Sequence, residues 1–271
     1  MTLVWCAPVT PVIGDHEGNR HRVLAAISDA VTEGARVVVL PELATGGYVF
    51  TDAGEARAAG VAADDPMFTG WARAAGAAVV VGGFAELGRD GLLYNSAALV
   101  DSGGVRAVYR KTHLWDREKL WFTPGASVPP IIETAYGRIG PLICYDLEFP
   151  EMTRNLAERR ADLIAAPVNW PRVDRPGGEH PPETIIAMAA ARTNRLCVAI
   201  CDRAGTERGV RWTGGSTVVD EHGWPRGPVT EIDLRRGRDK WLSPRNHALD
   251  DRRPDLLSGK EDGGMPLVRG S

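Results

Sequence analysis

The chain has 271 residues, of which 44% are hydrophobic and 25% are charged, and both values are typical of a soluble globular protein. Acidic and basic residues are interspersed and the formal net charge is −3, which excludes a nucleic-acid or membrane-surface partner held by bulk charge. No apolar stretch approaches the roughly 20 residues that a helix needs to span a bilayer, so no membrane partner is expected.

Short runs of β-branched residues alternate with amphipathic segments, and a hairpin-turn signal lies at 101–104. In chain order the pattern predicts a helix around Val23–Val31, strands at Arg36–Leu40, Ala78–Phe84, Asn95–Val100, Val105–Arg110 and Leu163–Ala166, helices around Met152–Leu156 and at Glu183–Arg195, and strands at Leu196–Cys201 and Ser216–Val219. This alternation predicts an α/β fold with a mixed sheet covered by helices. No repeat or biased linker divides residues 1–257, which are predicted to form one domain, and the glycine-rich segment 258–271 is predicted to be a flexible tail.

The four cysteines are too few for a disulfide framework. Cys197 and Cys201 lie in one predicted strand, where four residues span about 13 Å, too far for a disulfide. The first residues also lack the basic segment and apolar run of a secretory signal. We therefore expect free cysteines and a cytoplasmic location.

Three segments place a reactive group just after an apolar strand, where α/β sheets usually carry their sites. Glu42 follows such a strand and could act as a general base, although a glutamate considered alone at this position is more often a surface residue that caps a turn. Lys111 ends a hairpin strand and could stabilise a thiolate or an oxyanion, although an isolated lysine there is usually solvated.

The third segment runs from an apolar strand at 140–143 into Cys144 and then into a helix with Pro150 near its first position. Such a strand–nucleophile–helix turn predicts an exposed sulfur and free backbone N–H groups that could hold an oxyanion. The alternative is a buried core cysteine, which is the commoner fate of a lone cysteine. Tyr145 and Asp146 follow the cysteine and do not continue an apolar face.

Together these segments resemble the nitrilase, or carbon–nitrogen hydrolase, superfamily in its amidase-like branch, from Leu3 to about Leu257. The motifs that carry the resemblance are Pro41-Glu42-Leu43 with Gly47-Tyr48, Tyr109-Arg110-Lys111-Thr112-His113-Leu114 with Phe122-Thr123-Pro124-Gly125, and Cys144-Tyr145-Asp146-Leu147-Glu148-Phe149-Pro150-Glu151. The segments 167–171 and 214–216 also resemble later family segments. The resemblance implies an α-β-β-α sandwich, a homodimer or higher oligomer that stacks sandwiches into four layers, and a pocket where the Glu, Lys and Cys converge.

The resemblance also implies the chemistry. Cys144 attacks a small carboxamide, Glu42 moves the protons, Lys111 and the Tyr145 N–H hold the oxyanion, and a thioester is hydrolysed after ammonia leaves. Lys111 is expected to favour the thiolate, and no step requires a metal or an organic cofactor. The predicted substrate-binding residues are Glu118, which resembles a second pocket glutamate of several amidases, together with Tyr48, Tyr145, Asn169 and Trp170.

Several alternatives remain open at the level of sequence. The same three residues could hydrate a nitrile, or the chain could hydrolyse an N-carbamoyl amino acid with Arg172 or Arg175 holding the carboxylate. A further alternative is that the chain is not an enzyme but a catalytically silent scaffold with the same fold. Glu118 could also be an exposed helix charge, and His113 is expected to be a hydrogen-bonding support. Because a second carboxylate would accept an amide N–H, Glu118 predicts a preference for amides over nitriles.

Overall fold

The structure is a computed structural model that describes residues 1–257, so the predicted tail at 258–271 lies outside the described residues. Strands β1 to β15 span Thr2–Cys6, Val37–Val39, Val79–Leu87, Leu93–Asp101, Gly104–Arg110, Ile132–Thr134, Gly137–Pro141, Leu163–Val168, Cys197–Asp202, Thr206–Glu207, Val210–Arg211, Thr217–Val219, Val229–Ile232, Trp241–Ser243 and Asn246–His247. Helices α1 to α7 span His16–Thr32, Ala53–Ala58, Met67–Ala75, Glu118–Trp121, Pro150–Glu158, Pro182–Asn194 and Pro254–Leu257, and 3-10 helices span Cys144–Glu148 and Leu234–Arg238.

Two mixed sheets form the centre of the molecule. The first has the strand order β13-β1-β2-β3-β4-β5, with β1, β2 and β3 parallel and the other neighbours antiparallel. The second has the order β12-β9-β8-β7-β6, with β7, β8 and β9 parallel. In each sheet, loops that contribute to the candidate site begin at the carboxyl ends of the parallel strands.

The central strands of each sheet are buried on both faces. The two sheets pack against each other through a core that includes Val39, Val81, Leu163 and Cys201. Helices α1 and α3 cover the outer face of the first sheet, and α5 and α6 cover the outer face of the second. The predicted α-β-β-α sandwich is therefore confirmed. Burial on both faces explains why these strands are continuous apolar runs with no polar alternation.

The predicted elements all occur, with small differences at their ends. The strand predicted at 78–84 extends to Leu87, and the strand predicted at 163–166 extends to Val168. Several elements were not predicted, among them β1 at the start of the chain, α3 at Met67–Ala75 and the edge strands β6 and β13. β1 has five residues and α3 has nine, and Gly70 inside α3 lowers its helix propensity. Among residues 1–257, no helix has the length and apolar composition needed to cross a membrane.

Candidate active site

Glu42 lies directly beyond β2, at the seam between the two sheets. Its N–H donates to the Val168 carbonyl at the end of β8, and its own carbonyl accepts from Asn169 Nδ2 at 2.9 Å. Gly83 of β3 passes so closely that a Cβ there would lie 2.5 Å from the Glu42 Cα. The next residue, Leu43, has a left-handed φ of 49°. The Glu42 backbone is therefore fixed by both sheets, and no side chain fits at residue 83.

The Glu42 carboxylate is completely buried, which rules out the surface position considered from sequence. Its Oε1 accepts from Lys111 Nζ and from Asn95 Nδ2, both at 2.7 Å. Its Oε2 has no hydrogen-bond partner within residues 1–257. Burial raises the pKa of Glu42 to about 7, the charge of Glu118 adds to this effect, and Lys111 and Asn95 oppose it. A carboxyl group with this pKa can both accept and return a proton near neutrality.

Lys111 is also completely buried. It is therefore not solvated, although its position at the end of a hairpin strand, considered alone, would favour a solvated lysine. Its ammonium donates to Glu42 Oε1 at 2.7 Å and to Glu118 Oε1 at 2.8 Å. Burial acts to lower its pKa, but the two carboxylates outweigh burial and raise the pKa well above the ordinary value. Lys111 is therefore a permanent cation held between two acids.

Glu118 is buried, which excludes the exposed helix charge considered from sequence. Its Oε1 accepts from Lys111 and from the Tyr48 hydroxyl, and its Oε2 accepts from the Trp115 N–H at 3.2 Å. Both of its oxygens are thus already engaged within the protein. The unpartnered carboxylate oxygen in this group belongs to Glu42 and not to Glu118.

Cys144 occupies a sharp turn, as predicted from its place between a strand and a helix. Its φ of 48° lies in the left-handed region, and the 3-10 helix that it begins leads into α5 at Pro150. A non-glycine residue in this region is uncommon and costs free energy that the surrounding structure must supply. The predicted exposure of the sulfur is wrong, because the residue is only 6% exposed and its thiol donates to the Asn169 carbonyl at 3.9 Å.

The buried site disfavours the ionised form of the Cys144 thiol. Burial raises its pKa well above the ordinary value, the charge of Glu42 raises it further, and Lys111 opposes both. Lys111 therefore acts in the expected direction, but it is outweighed. A charge count gives the reason, since one ammonium already faces two carboxylates and a thiolate would add a second uncompensated negative charge.

Asp146 connects the lysine segment to the cysteine turn, a role that the sequence did not predict. This buried carboxylate accepts from the Tyr109 hydroxyl at 2.8 Å, from the His113 N–H at 3.0 Å and from the Ile143 N–H at 3.2 Å. The His113 ring places Nδ1 2.9 Å from Asp146 and stacks on Phe149 with centroids 3.7 Å apart. His113 is therefore a support, as expected, and the only sequence signal for Asp146 is its position two residues after the cysteine.

Asn169 and Trp170 follow β8, the strand next to the one that leads to Cys144. Asn169 is buried and contacts both Glu42 and Cys144, as described above, with its Oδ1 unpartnered among the described residues. Trp170 lies in the core of the second sheet, and its N–H donates to Asp202 Oδ1 at 3.0 Å. Burial raises the pKa of Asp202 to about 6, against the effect of the backbone N–H groups that it accepts. Asn169 thus reaches the reactive groups, whereas Trp170 is a core side chain.

A cavity of about 140 Å³ opens beside Glu118. Aromatic side chains dominate its lining, which consists of Tyr48, Val49, Phe50, Trp115, Asp116, Arg117, Glu118, Trp121, Phe122, Pro171, Val210 and Trp212. The Tyr145 ring packs edge-on against Trp115, with centroids 4.8 Å apart. Arg172 and Arg175 are exposed and outside this lining, so the structure gives no support for their holding a substrate carboxylate.

The structure thus brings Glu42, Lys111, Glu118, Tyr48 and Asn169 into contact, in a chain that ends at Cys144. Asn95 is a further contact residue that no sequence motif indicated. Within residues 1–257 no group of three or more His, Cys, Asp or Glu side chains is placed to hold a metal ion.

Comparison with known proteins gives a consistent result. A family model described as carbon-nitrogen hydrolase matches residues 4–224. A nitrilase from Pyrococcus abyssi is 31% identical over 272 residues, covering 94% of this chain and 98% of the relative. An (R)-stereoselective amidase from Pseudomonas sp. is 36% identical over 234 residues, covering 84% of this chain and 78% of the relative.

Solved structures agree with the sequence relatives. An amidase from Nesterenkonia sp. superposes with a TM-score of 0.76 at 28% identity, covering 94% of this chain and 95% of that chain. A mutant of that amidase, described as carrying acrylamide added at its active site cysteine, gives the same TM-score and identity over 95% of this chain and 98% of its own. The chain belongs to the carbon–nitrogen hydrolase family and is an amidase-type enzyme of that family.

Proposed function

We propose that the protein hydrolyses a small carboxamide to a carboxylate and ammonia, with Cys144 as nucleophile, Glu42 as general base and acid, and Lys111 as the oxyanion-stabilising cation. The observation that carries this proposal is the buried Lys111 ammonium held between two buried carboxylates, beside a cysteine in a left-handed turn. A related amidase with a covalent adduct at its active site cysteine supports the same use of Cys144.

In the first half of the reaction, Glu42 removes the proton from the Cys144 thiol as the sulfur attacks the amide carbonyl. The carbonyl π-bond breaks and its electron pair becomes an oxyanion, which Lys111 and the Tyr145 N–H stabilise. One well-placed donor of this kind is worth about 3–4 kcal/mol of barrier. The oxyanion then collapses, the C–N bond breaks, and Glu42 gives its proton to the leaving nitrogen, so that ammonia and a thioester result.

In the second half, Glu42 removes a proton from a water molecule as its oxygen attacks the thioester carbonyl. The tetrahedral intermediate collapses with loss of the sulfur, which takes the proton back from Glu42. Throughout the cycle the site carries one net negative charge, which moves from Glu42 to the oxyanion and back. Because Lys111 contacts Glu42 directly, this charge stays beside one cation and needs little reorganisation.

Amides are expected to be better substrates than the matching nitriles. A buried N–H without an acceptor costs about 1–3 kcal/mol, and Glu42 Oε2 is an unpartnered acceptor within the described residues. Ammonia release from butyramide, butyronitrile and an N-carbamoyl amino acid would be compared by kcat/KM, since a related amidase is described in complex with butyramide. A higher value for the nitrile or the carbamoyl acid would refute the proposed carboxamide substrate in favour of that alternative, and no release from any member would count against all three substrates.

The structure changes the role expected for Glu118 in the preference for amides over nitriles. Its oxygens are occupied by Lys111, Tyr48 and Trp115, so a nitrile would not leave it unpaired. We expect Glu118→Ala to lower turnover of both substrates, because Lys111 loses one of its two carboxylates, while the amide keeps its advantage. If the preference for the amide over the nitrile disappeared in Glu118→Ala, the contact with the amide N–H would have to be assigned to Glu118.

The rate is expected to fall on the acidic side of neutrality. Glu42 must be deprotonated to accept the thiol proton, and its pKa is raised to about 7, so the active fraction falls tenfold for each pH unit below that value. The measurement is kcat/KM for the amide from about pH 5.5 to about pH 9, in which the acidic limb reports free enzyme. If kcat/KM stayed constant down to the pH range in which glutamate ordinarily titrates, Glu42 would not be the base.

Two further features remain predictions. The resemblance to the family implies a homodimer, which would stack two sandwiches into four layers. A reducing, cytoplasmic location is in keeping with the four cysteines, all of which are free in the structure.

A further inference from the structure

The hairpin formed by β10 and β11 holds the loop that carries Tyr48. Glu207 on this hairpin is 8% exposed, and its Oε2 accepts from the Tyr48 N–H at 3.0 Å and from the Val49 N–H at 2.7 Å. The same hairpin supplies Val210 to the cavity, and Trp212 follows directly after it. One carboxylate therefore joins two segments that line the cavity and that lie 158 or more residues apart in sequence.

Arg203 supplies the countercharge for this buried carboxylate. It is 1% exposed, its Nη2 lies 3.0 Å from Glu207 Oε1, and the same nitrogen donates to the Pro11 carbonyl at 3.2 Å. Its guanidinium lies 5.1 Å above the Trp212 ring. The ion pair thus uses one oxygen of Glu207 and leaves the other for the two backbone N–H groups.

The loop that Glu207 holds contacts the reactive groups through Tyr48. The Tyr48 hydroxyl donates to Glu118 Oε1, the same oxygen that accepts from Lys111. Its ring packs edge-on against Trp212, with centroids 5.3 Å apart. Displacing the Tyr48 backbone would therefore displace the donor that shares a carboxylate oxygen with the catalytic lysine.

We propose that Glu207 is a positioning residue, which fixes the Tyr48 hydroxyl on Glu118 and thereby the place of Lys111 beside Cys144. This proposal rests on the proposed function of that site. Small displacements of a catalytic group cost up to about 10²-fold in rate, so a residue three contacts away from the lysine can matter greatly.

A matched pair of variants separates positioning from folding. Glu207→Gln and Glu207→Ala both leave Arg203 without its countercharge, so both should lower the unfolding midpoint. Only Glu207→Ala also removes the acceptor for the Tyr48 and Val49 N–H groups. We expect Glu207→Gln to keep most of the wild-type kcat and Glu207→Ala to lose about 10²-fold. Equal losses of kcat in the two variants would overturn the proposal.

A double variant covers the case in which Glu207→Ala does not fold. Arg203→Met with Glu207→Leu replaces the buried ion pair by apolar side chains, a change that is often neutral for stability. It still removes the acceptor, so the fall in kcat should persist in a folded protein. A folded double variant with wild-type kcat would contradict the proposed role.

A double-mutant cycle with Tyr48→Phe tests the route through the hydroxyl. If Glu207 acts through Tyr48, Glu207→Ala should lower kcat far less in the Tyr48→Phe background than in the wild-type background. Fully additive losses would overturn the route through Tyr48.

The rate at which iodoacetamide alkylates Cys144 gives a readout that needs no substrate. It should change in Glu207→Ala and not in Glu207→Gln, because Lys111 acts on the thiol. A wild-type protein without amide turnover would count against the proposed function, whereas an alkylation rate equal in all variants would count against Glu207.

Discussion

Replacing Cys144 by alanine is expected to abolish turnover, and alkylation of Cys144 by iodoacetamide is expected to do the same in the wild-type protein. In the proposed reaction, the thioester cannot form without this sulfur, so the remaining groups could do no more than orient water. Cys144 is also the most exposed of the four cysteines at 6%, compared with 1% for Cys6 and 0% for Cys197 and Cys201. It should therefore be the first to react.

The measurement is ammonia release together with the mass of the alkylated peptides. Burial raises the pKa of the Cys144 thiol, so alkylation should be slow at neutral pH and faster at higher pH. Cys6→Ala is the matched control, because it removes a buried thiol from the core between the sheets and leaves the site intact. Residual turnover in Cys144→Ala beyond the background of the assay would disprove the assignment.

Glu42→Gln and Lys111→Met are each expected to lower the rate by at least about 10³-fold, in line with the loss of an acid–base or oxyanion group. Glutamine can still accept a hydrogen bond from Lys111 and Asn95, but it cannot take the thiol proton. Methionine fills the volume of Lys111, but it removes the cation that contacts both Glu42 and Glu118. The measurement is kcat with the amide substrate at saturating concentration.

The two variants should differ in stability, and this difference serves as the control. Glu42→Gln removes a carboxylate whose burial is unfavourable, so its unfolding midpoint should move little. Lys111→Met leaves two buried carboxylates facing each other, and breaking a buried ion pair in this way costs about 3–5 kcal/mol. A rate loss in Glu42→Gln that only mirrored a fall in its folded fraction would show that Glu42 acts in folding and not in catalysis.

Most of the architecture could be predicted from sequence because strands buried on both faces leave a strong signal. The runs at 36–40 and 163–166 are continuous and β-branched or aliphatic, and turn residues bound them. Elements with weak local signals were missed. β1 alternates between buried and half-buried residues over only five positions, and it is held by pairing with β2 and with the distant β13.

The candidate site could be predicted only in part, for a related reason. Glu42, Lys111 and Cys144 each sit in a local motif, and motifs can be read along the chain. The burial of Cys144 and the engagement of both Glu118 oxygens depend on which segments pack against them. No pattern of neighbouring residues in the sequence indicates those contacts. Asp146 and Glu207 act through partners on other loops, so their roles became visible only in three dimensions.

The seam between the two sheets has a consequence for how the enzyme is made in the cell. Glu42 and Lys111 belong to the first sheet and Cys144 belongs to the second, and the first sheet is completed at its edge by β13, residues Val229–Ile232. During synthesis Glu42 and Lys111 therefore leave the ribosome before Cys144, and the first sheet lacks its edge strand β13 until residues 229–232 have been made. We therefore expect the proposed site to be complete only once β13 has paired with β1.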